Sequence, residues 1–225
     1  MLSNFTSPRV EVRRDRAGQP WNYKLLDQRQ REIALRAREG GGGGLLLSEV
    51  SPVITLGRRT PGGDLREQPE FFSRNGIAVH STDRGGLATY HGPGQWVLFA
   101  VDRLEKLTGD RRGVRKAVRG LLEVALETGR IYEPRAEIRE GSELGVWTPR
   151  GKFAAVGIHV ENGILLHGLS VNGFRTASSF LGLRPCGLDL PVDFLLNVAP
   201  LAEQEAAFVL LGKRLQEAAL KRFWH

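Results

Sequence analysis

The sequence predicts an α+β fold: a mixed, largely antiparallel sheet with flanking helices. Three observations point there. Strand-like runs fall in two groups, residues 45–58, 77–81 and 96–101, then 143–147, 152–160 and 164–171. Helix-like segments at 23–39, 113–128 and 201–223 are interspersed without regular strand-helix-strand alternation, which argues against a doubly wound parallel sheet. Asn162-Gly163 separates two of the runs, and that dipeptide supplies the left-handed φ values of a two-residue antiparallel hairpin.

In chain order, residues 1–20 carry charge and little apolar periodicity, and read as a flexible N-terminal arm or an edge strand. Leu26, Ile33 and Ala37 share one face of an amphipathic helix that ends in five consecutive glycines at 40–44, read as a mobile helix-to-strand connection. Leu45-Leu46-Leu47 and Val53-Ile54-Thr55-Leu56 are strands broken near Pro52 and closed by Gly57. A short helical piece at 69–75 and an Asn75-Gly76 turn lead into the strand at 77–81. Val114, Ala117, Val118, Leu121, Leu122 and Ala125 make the clearest amphipathic helix, with Gly129 its expected C-cap. Phe208, Leu211, Leu215 and Ala218 line one side of a terminal helix. With 225 residues and no evident repeat or linker, a single domain spanning residues 1–225 is expected.

The formal net charge of +7 steers anionic partners towards the chain. The basic residues are dispersed and not interleaved with aromatics, so no nucleic-acid partner is expected. No apolar run reaches the roughly 18 residues of a membrane span, and the N-terminus has no apolar leader core, so a cytoplasmic location without membrane contact is expected. One cysteine excludes an internal disulfide framework, and the histidine spacings give no metal-ligand set.

The chain is organised around Arg84-Gly85-Gly86-Leu87-Ala88-Thr89-Tyr90-His91-Gly92-Pro93-Gly94-Gln95, a polar glycine-rich stretch held between two strands. Its glycines permit close approach of backbone to a ligand. Cys186, between Pro185 and Gly187, is open to two readings: inert filler, or a nucleophile on a shaped loop. Lys152 opens an apolar strand and is either a surface lysine or a cation facing that thiol. Gly151-Lys152 is not part of a phosphate loop, because Phe153 stands where Ser or Thr is needed and Val146 where the first glycine belongs. His167-Gly168-Leu169-Ser170-Val171-Asn172 sets a small residue beside polar ones, suited to backbone passing close to a ligand.

Four motifs together resemble the lipoyl(octanoyl) transferases: Arg-Gly-Gly-x-x-Thr-Tyr-His-Gly-Pro-Gly-Gln at 84–95, Gly-Lys-x-Ala-Ala-x-Gly at 151–157, His-Gly-Leu-x-x-Asn at 167–172 and Pro-Cys-Gly-Leu at 185–188. Thr55-Leu56-Gly57-Arg58 fits an early strand-end motif of that family, and the resemblance covers residues 23–188. It implies a biotin/lipoate protein ligase-like catalytic fold and a two-step transfer in endogenous lipoate biosynthesis. Octanoyl passes from the phosphopantetheine of acyl carrier protein to Cys186, then to a lysine of a lipoyl domain, with Lys152 as acid/base partner of the thiol. Arg84 through His91, Ala155, Val156 and Gly157, and Gly168, Leu169 and Ser170 are the implied substrate pocket.

The resemblance further implies no cofactor and no ATP, since the acyl group arrives already activated as a thioester. The implied partners are octanoyl-acyl carrier protein, the lipoyl domains of 2-oxoacid dehydrogenases and the glycine cleavage H protein, met by a monomer. Their acidity gives the net charge a use. Two departures stand out: Glu49-Val50-Ser51-Pro52 where the family has Glu-His-x-Pro, and Asp189-Leu190-Pro191-Val192-Asp193 where it has small residues. Two other readings compete, an ATP-dependent lipoate-protein ligase on the same fold and, from the basic charge alone, a noncatalytic nucleic-acid-binding module.

Overall fold

The computed structural model describes residues 8–14, 20–60, 65–183, 191–197 and 199–224. Of the two readings for the N-terminal segment, residues 9–13 take the edge strand: β1 (Arg9–Arg13) lies parallel to β2 (Gly44–Ser48). Between them runs α1 (Tyr23–Arg38), capped by Asn22, whose side chain accepts a hydrogen bond from the Lys24 amide at 2.8 Å. The glycine run after α1 is not a loose connection. Arg36 donates to the carbonyls of Gly42 and Gly43, Arg103 donates to those of Ala37 and Arg38, and a Cβ on Gly43 would collide with Asp102.

β3 (Val53–Leu56), α2 (Pro69–Arg74), β4 (Ala78–Ser81) and β5 (Thr89–His91) follow. β3 pairs parallel with β4 and antiparallel with β5, making a separate three-stranded sheet. β6 (Gln95–Val101), buried along its whole length, carries the chain back to the large sheet. Then come α3 (Leu104–Thr108), α4 (Val114–Gly129), β7 (Glu137–Arg139), β8 (Gly145–Thr148), β9 (Gly151–Glu161), β10 (Ile164–Asn172) and α5 (Leu201–Phe223). The large sheet has seven strands in the order β1-β2-β6-β10-β9-β8-β7, antiparallel except at its β1 edge. Asn162 and Gly163, with φ of 51° and 77°, close the β9–β10 hairpin as their sequence predicts.

Strand alternation splits the apolar residues between two faces. Leu45, Trp96, Leu98, Leu165, Leu169 and Val171 face α4 and α5, while Leu46, Val97, Phe99, Val101 and Leu166 face α1. On the α4/α5 side, Phe208, Leu211 and Leu215 of α5 are fully buried, contributing about 1.5–3 kcal/mol each. The small sheet has its own core of Ile54, Phe72, Ile77, Ala88 and Tyr90. Gly129 is the last residue of α4 and not its cap, a place taken by Arg130. Its missing Cβ makes room for the Phe153 ring, so packing and not helix termination requires glycine there. No helix among the described residues is long and apolar enough to cross a membrane.

Candidate active site

Strand register builds the floor of a cavity on the α1 face of the large sheet. Val97 of β6, Ser170 of β10 and Ala155 of β9 are direct partners in one row, and Phe99, Gly168 and Gly157 form the next. Residues two apart on a strand share a face. These rows underlie a cavity of about 490 Å³, open mouth included. Val156 and Leu169 border it between the rows while packing against the core on the opposite face.

The glycine-rich stretch is the roof. Arg84, 6% exposed, donates through Nε to Thr55 Oγ1 at 3.0 Å, through Nη2 to Thr55 O at 2.5 Å, and through Nη1 to Gly85 O at 3.0 Å. The Gly85 amide donates to Ile158 O at 2.8 Å, tying roof to β9. Gly57 ends β3 under this loop, where a Cβ would sit 2.5 Å from Gly86 O and 2.7 Å from Arg84 Nη1. Only glycine lets the roof approach so closely.

His91 reaches the cavity from β5, stacked on Tyr23 of α1 at 5.7 Å and 6°. Its Nδ1 lies 2.7 Å from Gln95 Oε1, while the Gln95 amide nitrogen donates to Tyr90 O and to Asn172 Oδ1, and Asn172 Nδ2 donates to Asp193 O. That chain of donors makes the Gln95 oxygen an acceptor, places the imidazole proton on Nδ1 and leaves Nε2 as an acceptor. Complete burial, then the positive charge of Arg84, pushes the His91 pKa down to about 3, so the ring is neutral at pH 7.

A second, smaller cavity, about 300 Å³ with its open mouth included, adjoins the first. Lys152, Ala154, Asn172, Phe180 and Val192 line it, and it shares Thr89, Ala155 and Ser170 with the first cavity. Lys152 is fixed by a parallel bridge to Val192, its amide donating to Pro191 O at 2.9 Å and its carbonyl accepting from Asp193 N at 3.0 Å. The amine donates to Leu144 O at 2.6 Å and stands 5.8 Å from the centre of the Trp147 ring. The Asp193 carboxylate accepts from Thr148 Oγ1 and pairs with Arg150 at 3.0 Å, holding the returning chain against β9.

Of the residues expected to form the pocket, Arg84, Gly86, Leu87, Thr89, His91, Ala155, Val156, Gly157, Gly168, Leu169 and Ser170 border the first cavity, and Lys152 borders the second. Gly85 contributes the backbone tie to β9 instead of a wall. Ala88 and Tyr90 turn away, into the core of the small sheet, because alternation along β5 aims Thr89 and His91 one way and their neighbours the other. The Tyr90 hydroxyl lies 2.7 Å from Ser178 Oγ. Cys186 lies outside the described residues, as do Asp189 and Leu190.

The structure adds Tyr23, Val97, Phe99 and His167 to the wall. Val97 and Phe99 sit in a strand apolar on both faces, where no periodicity distinguishes a cavity wall from core. At the first departure from the family pattern, Val50 is fully buried on the α1 side, and Glu49 beside it accepts from the Gly94 amide at 2.8 Å and forms an ion pair with Arg14 at 2.6 Å. Burial, outweighing these partners, raises the Glu49 pKa.

Residues 22–197 match the family described as the lipoyl protein ligase A/B catalytic domain. An octanoyltransferase from Magnetococcus marinus is 37% identical over 80% of this chain and 78% of its own length, and one from Acidobacterium capsulatum is 34% identical over 71% of this chain and 69% of its own. The fold is similar to that of a crystal structure of lipoate-protein ligase A bound with ATP, with a TM-score of 0.70 at 13% identity, covering 96% of this chain and 94% of that one. It is also similar to a putative lipoate protein ligase from T. acidophilum, with a TM-score of 0.68 at 13% identity over 96% and 93% of the two chains. The chain therefore belongs to the lipoyl protein ligase A/B catalytic domain family, among its octanoyltransferases, which are acyltransferases.

Proposed function

We propose that the protein moves an octanoyl group from acyl carrier protein to a lysine of a lipoyl domain through a thioester on Cys186. One observation carries the reading: the cavity lined by Lys152 adjoins a largely apolar cavity, the two sharing Thr89, Ala155 and Ser170 as walls. An acyl chain laid along the first cavity brings its carbonyl to the Lys152 end. Pro191, bonded to Lys152, is five residues after Cys186 in sequence.

In the first step the Cys186 thiolate attacks the thioester carbonyl, the carrier's C–S bond breaks, and the departing thiolate takes a proton from the Lys152 ammonium. In the second, the neutral acceptor amine attacks the enzyme thioester, gives its proton to Lys152, and Cys186 leaves as thiolate. Backbone amides near the carbonyl stabilise each tetrahedral oxyanion, a contribution of about 3–4 kcal/mol per donor. Burial of the chain contributes about 0.8 kcal/mol per methylene. Both steps balance without nucleotide or metal.

The test is intact-mass spectrometry after incubation with octanoyl-carrier. One octanoyl mass, released by hydroxylamine and missing in Cys186→Ser, is expected; an unmodified wild-type protein overturns the reading. An ATP-dependent ligase would instead release pyrophosphate with free octanoate or lipoate.

A further inference from the structure

His167 breaks the alternation of β10. Leu165, Leu169 and Val171 face the helices α4 and α5, so a side chain at 167 belongs on that face. Its φ of 60°, rare for a residue other than glycine, turns the imidazole to the opposite side, where it meets Phe99 edge-on at 5.6 Å and borders the first cavity. Gly168 follows, where a Cβ would run into the Leu98 carbonyl. Strain at one buried position persists only where the surroundings hold it.

The surroundings hold it at three atoms. Gln30 of α1 accepts from the His167 amide at 2.8 Å, and its side-chain nitrogen lies 3.3 Å from Nδ1. Nε2 lies 2.5 Å from Asp83 Oδ1. Asp83 immediately precedes the roof residue Arg84 and is itself paired with Arg31 at 3.0 Å. One residue beyond the glycine row of the floor, Ile158, the partner of His167 across the ladder, accepts from the Gly85 amide. Roof and floor are therefore clasped together at the end of the cavity away from Lys152.

The position of the clasp sets a length. Ser170 marks the end shared with the Lys152 cavity, and His167 is three strand residues away, about 10 Å. That is close to the reach of an extended eight-carbon chain.

We propose that the His167–Asp83 pair is the end wall of the acyl slot and the determinant of chain length. This rests on the acyl-transfer reading for its biological meaning, but the wall can be tested without it. His167→Gly is the informative variant, since glycine adopts a φ of 60° without strain and the change removes only the ring. Asp83→Ala keeps the ring and removes its tie to the roof.

Wild type and both variants are titrated with free octanoic, decanoic and dodecanoic acids by calorimetry, and in parallel given octanoyl- and decanoyl-carrier in a transfer assay. The decanoic-to-octanoic affinity ratio is expected to rise at least tenfold in His167→Gly and severalfold in Asp83→Ala, with the transfer ratio following. An unchanged affinity ratio in both folded variants overturns the end wall. A shifted affinity ratio in the variants beside a wild type that transfers neither acyl group supports the wall and overturns the transfer reading instead.

Discussion

The Lys152 amine donates to the main-chain oxygen of Leu144 at 2.6 Å, and Gly145 is the residue that makes room for it: a Cβ there would lie 3.0 Å from Nζ and collide with the stem of the lysine. The carbonyl fixes one amine proton of a side chain that lines the second cavity. Lys152→Ala should lower the rate of self-acylation at neutral pH by about 100-fold or more, the span of general acid-base effects, with little change in melting temperature. Gly145→Ala should do much the same by displacing an intact lysine. Single-turnover acylation of the two variants checks this, and a wild-type rate in Lys152→Ala removes the residue from the mechanism.

His91 makes the fold sensitive to acid. Its pKa falls from 6.5 to about 3 on folding, so between these values the unfolded chain binds a proton that the native chain refuses. Stability from this group is complete above about pH 6.5 and drains away as pH falls towards 3. Urea unfolding of wild type and His91→Gln across that window should show a steeper acid loss in wild type; parallel curves would contradict it.

Arg84 carries the roof through Thr55, both of whose oxygens accept from it. Thr55→Val preserves shape and removes the hydroxyl acceptor of a buried charged donor, which should cost about 1–3 kcal/mol. Denaturant midpoints measure the cost, and a loss of acyl binding larger than the loss of stability is expected, because the roof shifts.

Gly212 lies where α5 crosses Trp96, whose ring stacks on Phe208 at 4.8 Å and 12°. A Cβ at 212 would sit 2.6 Å from the indole, which is 2% exposed and cannot swing aside. Gly212→Ala should therefore destabilise by about 1–3 kcal/mol through overpacking, despite alanine's better helix propensity. Thermal unfolding of this single variant decides between the two opposing effects.

Most strands and helices were legible because local patterns specify them: the spacing of Ala117, Leu121 and Ala125, the Asn162-Gly163 turn, the apolar runs; the short α3, β5 and β7 were not, since three to five residues carry too little periodicity. Ala88 and Tyr90 were legible as members of a motif but not as core residues. The motif spans a loop and a strand, and only where β5 begins is it fixed which alternate residues face inward. Tyr23 and Phe99 carried no signal at all, since a residue that lines a cavity and one that fills a core are chemically the same.

The sequence by itself determined an α+β chain built around residues 84–95, with Lys152 on a strand and a family whose chemistry is acyl transfer. Tertiary structure alone decided that rows from β6, β10 and β9 make one floor, that His91 is neutral through burial, and that His167 faces the cavity against the alternation of its own strand. The reason is physical: periodicity reports the backbone's local geometry, whereas register, desolvation and a left-handed residue held by Gln30 and Asp83 depend on partners far away in the chain.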